Sequence, residues 1–229
     1  MKQEQRYNIF KRTHKGLRSM LFDAGAKIQH TDFTKQKQAT ATIESIRQTT
    51  KTFTYHLTKE DNVIYHAVVL YAPYIIAMLE QTSTKDAVLA KSIDRLIADY
   101  DPQNSKKDQI AYGIQLQAAF FEFTAAVLQH MNKEAMVVND LLWSNYTDTQ
   151  LVGMEVEMMK QACPDDCGWY TATILKGLSN AEIIFWIAKI TEHGTPHMAE
   201  KIISKARSVL PIDRWQMIRG KFTESKVAA

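Results

Sequence analysis

The chain has 229 residues, 45% hydrophobic and 23% charged, with a net charge of +3. These are the proportions of an ordinary globular protein, long enough for one sizeable core with or without an appendage. Acids and bases are mixed along the chain, so no basic block points to nucleic acid. "MKQEQRYNIFKRTHKG" lacks the apolar stretch of a secretory signal, no run of about 18 apolar residues predicts a membrane span, and Cys163 and Cys167 make no disulfide framework, so a cytoplasmic chain is expected.

With 8 glycines and 5 prolines, and no segment of period two, the apolar spacing predicts helix almost throughout. The first helix is expected over about 7–29, followed by a polar link, "HTDFTKQ". The second runs from about 35 or 40 to 69, with Pro73 near its end or opening a short piece. Ser83 or Thr84 can cap a third over about 85–99, and "DPQNSKK" is a clear break. The fourth covers about 108–145 with Gly113 inside it, and a fifth follows to about 162. "SNAE" at 179–182 reads as a capping box opening a helix that stops at Gly194. Pro196 and Pro211 start the last two. The fold class is therefore all-α: an up-and-down four-helix bundle over 1–152, with additional C-terminal helices over 153–229.

The chemistry begins in "FTYHLTKEDNVIYHAV". His56 and Glu60, four apart, share one helical face, and Val63 and Ala67 continue it. A carboxylate facing the interior needs a partner or a cation. "LQHMNKEAMVVNDLLW" repeats the arrangement, with His130, Glu134, Val137 and Leu141. In the first helix His14 is in phase with Phe10, Leu17 and Leu21. A single such histidine is more often a hydrogen-bonded core residue, and a single pair is often exposed. Three inward histidines with two inward glutamates form a ligand set. Imidazole suits iron, zinc, copper or nickel, and the two carboxylates can bridge a pair of cations in a bundle core.

The blocks "RYNIFKRTHKGLR", "HLTKEDNVIYHAV" and "HMNKEAMVVNDLLWSNYTDTQL" resemble the hemerythrin-like (HHE cation-binding) proteins, in particular bacterial members. The resemblance covers about 6–152. The tail "LSNAEIIFWIAKITEHGTPHMAEKII" resembles, more loosely, a helical extension of some members. The family resemblance implies a non-haem di-iron site with His14, His56 and His130 as terminal ligands and Glu60 and Glu134 as bridging carboxylates. A mononuclear site or another divalent metal remains an alternative.

One departure stands out. The family pattern has a histidine on the third helix, and here none lies between His66 and His130. Ala90 falls near that position, with Lys91 beside it. Water or an exogenous ligand could fill the gap, or Lys91 could replace one cation by its charge. His66 and Tyr65 sit about 80° or more off the His56 face of a regular helix. His193 and His197 of the tail are further candidates, although His193 before Gly194 reads first as a helix end. His30 is expected to be exposed. Trp143, Trp169, Trp186 and Trp215 are expected to pack. Met154, Met158 and Met159 are expected as soft core or interface.

The resemblance implies dioxygen or another small ligand as partner, with redox sensing or iron handling as related roles. No nucleic acid, no membrane and a homodimer complete the expectations. A metal-free helical interaction or signalling module with a decayed site is the alternative. An oxidative enzyme acting on oxygen, peroxide or nitric oxide is a third reading. No nucleophile triad, P-loop or dinucleotide fingerprint points to another activity.

Overall fold

A computed structural model of the chain describes residues 6–161 and 167–227. All regular structure among them is helical. By contact the chain forms two compact units, Arg18–Val138 and, together, Met1–Leu17 with Asn139–Ala229. No helix among the described residues is long and apolar enough to cross a membrane.

The unit Arg18–Val138 takes in most of α1 (Lys11–Gln29), then α2 (Gln36–Glu60), a π-helical turn (Asp61–Tyr65), α3 (His66–Val69), α4 (Pro73–Ala98), α5 (Lys106–Lys133) and a second π-helical turn (Glu134–Val138). Short links join the four long helices, which makes successive helices antiparallel neighbours. In the first link Asp32 accepts from the Thr34 N–H at 2.9 Å, a local turn that carries Phe33 inward. Phe33 lies against Gly113 of α5, where an added Cβ would come within 2.4 Å of the ring. That close seat explains a glycine inside a long helix. Phe53, Leu79, Ile93, Leu116, Phe120, Phe123 and Val127 form the centre of this unit, each at most 2% exposed. Burial of each contributes about 1.5–3 kcal/mol.

The third long helix is longer than expected. It opens at Pro73, in the first helical position where proline's fixed φ is preset for helix, and runs unbroken to Ala98. Ser83 and Thr84 lie inside it and cap nothing. The neighbouring Thr82 hydroxyl donates to the Met78 carbonyl at 3.0 Å, the way hydroxyl residues are accommodated within a helix. At α5 the cap is Ser105, which accepts from the Asp108 N–H at 3.2 Å.

The other unit contains α6 (Asn139–Asn145), α7 (Asp148–Lys160), α8 (Cys167–Gly177), α9 (Asn180–His193), α10 (Pro196–Val209) and α11 (Ile212–Val227). Capping boxes open α7, with Thr147 and Gln150, and α9, with Ser179 and Glu182. Ile174, Leu175, Ile183, Trp186, Ile202 and Trp215 belong to its core. Trp143 donates through Nε1 to the Tyr7 carbonyl at 2.7 Å. Cys163 lies outside the described residues, and Cys167 opens α8.

The segment from Arg6 to Gly16 is bound into this second unit. Arg6 donates to Asp148 at 2.6 Å and to the carbonyls of Trp143 and Tyr146 at 3.0 and 2.7 Å. Arg12 and Tyr7 both pair with Glu155 in a buried network. Lys15 meets Glu182 at 2.6 Å. Gly16 and Gly177 bring α1 and α8 into backbone contact, a Cβ on Gly177 lying 2.6 Å from the Gly16 Cα.

Candidate metal centre

His56 and Glu60 end α2, and the His56 Nε2 lies 3.2 Å from Glu60 Oε1. His130 and Glu134 close α5, with His130 Nε2 3.0 Å from Glu134 Oε1. All four are at most 2% exposed. His56, Glu60 and Glu134 each offer one ligand atom, and these atoms lie within 4.8 Å of one another. Phe53 presents an aromatic wall edge-on to both histidine rings, with centroids 6.1 Å away in each case. His14 lies on the part of α1 that belongs to the other unit. It is buried, as are Phe10, Leu17 and Leu21, with which it is in phase, and its ring stacks on Phe10 at 5.1 Å.

The two glutamates share a local device. A π-helical turn follows each, Asp61–Tyr65 after Glu60 and Glu134–Val138 from Glu134 onward. The i→i+5 bond of a π turn inserts one residue into the helical repeat and rotates the residues beyond it. The buried stripe moves with them. Val63, Ala67 and Leu141 are only half-buried and Val137 is exposed, whereas Ile64, Val68, Val138 and Leu142 are at most 1% exposed. The inward faces expected from an uninterrupted α-helix are thus each displaced by one residue.

The same turn brings in Tyr65, which regular α geometry would aim elsewhere. It is buried, and its hydroxyl lies 3.4 Å from Glu134 Oε1, 3.5 Å from His130 Nε2 and 3.5 Å from Ser83 Oγ. Tyr65 and Ser83 also line an open groove of about 620 Å³, with Asn62, His66, Glu80 and Thr84 among its walls.

The third long helix contributes a carboxylate. Asp86 of α4 is 1% exposed and its Oδ2 lies 2.7 Å from His130 Nδ1. Ala90, one turn on, is buried and offers no donor. Asp86 was absent from the residues expected at the site because the family pattern calls for a histidine on this helix. The signal was present: Leu79, Asp86, Ala90, Ile93 and Ile97 form one buried stripe, and Asp86 is its only acid.

Three carboxylates and two imidazoles thus lie buried in the unit Arg18–Val138. Uncompensated, that much negative charge costs several kcal/mol, so the donor set fits a cation. Asp86 Oδ1 is buried without a hydrogen-bond partner, a further acceptor to spare. Burial works to lower the His130 pKa, but hydrogen bonds to Asp86 and Glu134, and their charges, outweigh it and raise the value to about 9. An imidazole that donates Nδ1–H to a carboxylate has its other nitrogen fixed and made more basic, the usual arrangement behind a metal-binding histidine.

Residues 5–142 match the hemerythrin HHE cation-binding domain. The chain belongs to that family. It is also similar to F-box/LRR-repeat protein 5 of Xenopus tropicalis and of Mus musculus, each 24% identical over 178 residues. The alignments cover 75% of this chain but 24% of each relative, so the chain spans about a quarter of the length of these curated proteins. The bovine protein of the same name is 25% identical over 159 residues, 67% of this chain and 21% of the relative. No solved structure matches.

Within this HHE chain His66 is exposed on the groove wall, and three further histidines have local explanations. His193, at the end of α9, lies 3.5 Å from Glu192 Oε2, and His197 and His30 are exposed.

Proposed function

We propose that this HHE chain binds iron as a pair, through His14, His56, Glu60, His130 and Glu134. Glu60 and Glu134 would hold the pair between them, and each histidine would supply a nitrogen donor. The observation that carries the reading is the convergence of His56, Glu60 and Glu134 ligand atoms within 4.8 Å in a buried site. The family match covers all five residues. His14 enters from that match and from its burial on the inward face of α1.

Each residue has a task. His130 is held by Asp86, so its Nε2 points toward Glu134. His56 and Glu60 form the equivalent pair on α2. Phe53, edge-on to both imidazoles, keeps water from that side of the pairs and strengthens the charge interactions there. Bound iron would supply a position for dioxygen or another small ligand. Small-ligand binding, with redox sensing or iron handling as its use, is the function this donor set supports best. The F-box and LRR parts named in the relatives play no role in this reading.

Elemental analysis after anaerobic loading with ferrous iron and desalting tests it. About two irons per chain is the expected result for a bridged pair. One iron per chain would reduce the site to a half-site. A folded chain that retains none would overturn iron binding and favour the metal-free module.

A further inference from the structure

We infer that Tyr65 is an oxygen ligand to the cation on the His130 side of the cluster, standing in for the histidine that the third long helix lacks. The inference rests on the proposed iron binding and adds a ligand to it.

The Tyr65 oxygen lies 3.5 Å from His130 Nε2 and 3.4 Å from Glu134 Oε1. Three donor atoms of different chemistry, phenol, imidazole and carboxylate, therefore converge from two helices. His130 Nδ1 is engaged by Asp86, which turns Nε2 toward Glu134 and the phenol.

The backbone itself turns the ring inward. In an α-helix, a residue five after Glu60 is rotated about 140° from it. The π turn Asp61–Tyr65 closes with i→i+5 geometry, which returns the fifth residue to the same face. The insertion converts an outward tyrosine into an inward one.

Helix α4 leaves a coordination position open. It presents Ala90 near the family's histidine position and spends Asp86 on His130. A phenolate is a hard anionic oxygen donor suited to ferric iron, as tyrosine is in one class of haem protein. As the oxygen–metal bond forms, the phenol O–H breaks and its proton leaves to water in the groove that Tyr65 lines. No electron is transferred in that ligand exchange.

The test uses the full chain, loaded anaerobically with ferrous iron, then oxidised by air, with dioxygen as the oxidant, and desalted. Iron per chain is counted, and the visible absorption and resonance Raman spectra are recorded. The expected result is a phenolate-to-ferric charge-transfer band with enhanced tyrosinate ring modes. Tyr65→Phe should abolish both while circular dichroism is unchanged and iron is still bound. Tyr55→Phe should retain both. Iron-loaded wild type without the band overturns the inference and leaves iron binding intact, as does a band that survives in Tyr65→Phe. Wild type that binds no iron overturns the iron reading and the inference with it. Should Tyr65→Phe fail to fold, Tyr65→His supplies a nitrogen donor instead, and the same loss of band is expected.

Discussion

Asp86 reaches the centre only through His130, and this gives it a distinctive phenotype. Asp86→Asn keeps the size of the side chain and removes the charge that fixes the imidazole. Loss of such a partner lowers metal affinity roughly 10–100-fold. Competition with a chelator of known affinity measures this, and the helical spectrum should not change. His130→Ala should lower iron content far more than His30→Ala, because His130 is fully buried against Glu134 and His30 is exposed. Equal losses from both would remove His130 from the site. At this scale the sequence exposed the two HxxxE pairs, since i,i+4 spacing is local and survives any later change of helical phase. Asp86 was hidden because its partner is 44 residues away. Nothing in a lone acid on an apolar stripe says which histidine it meets.

The elements divide in the same way. Helix boundaries set by caps were readable: Ser179, Glu182 and Pro196 are where local chemistry requires them. The π turns were not, because no residue type demands one, and each shifts the buried stripe by one position. Ser83 and Thr84 misled for the opposite reason, being residues that cap well when free but that a helix started at Pro73 absorbs. The Ser179–Glu182 box offers a pH test. Burial works to raise the Glu182 pKa, but Lys15 and the hydrogen bonds to Ser179 hold it at about 2. A folded-state pKa below the unfolded value adds stability above the unfolded pKa, and that stability is lost as pH falls through the folded one. Glu182→Gln should therefore cost about 1 kcal/mol at neutral pH, discounted for the solvent the group still meets. Urea unfolding should show that difference closing between pH 4.5 and 2.

For the whole molecule, stability and loading should be coupled. Iron that binds only the folded chain stabilises it, so stripping the metal should lower the melting temperature. Calorimetry with and without a chelator that demonstrably removes iron reads the shift. An unchanged melt would argue against buried bridging carboxylates. A second global weak point is Glu155. Glu155→Ala leaves Arg12 buried without its counter-charge, a loss of roughly 3–5 kcal/mol. Gly16→Ala drives a methyl into the Ile174 backbone at 2.7 Å, and overpacking of this kind costs about 1–3 kcal/mol. Chemical denaturation checks both.

The binding of Arg6, Arg12, Lys15 and Gly16 to Asp148, Glu155, Glu182 and Ile174 has a consequence for how the protein is made. A chain synthesised from its N-terminus exposes Arg6, Tyr7 and Arg12 long before their partners leave the ribosome. The segment that carries His14 cannot reach its final packing until the chain through Glu182 has been made. Synthesis thus builds in a delay. The buried His–Glu pairs of α2 and α5 can form while the beginning of α1 is still without its packing partners.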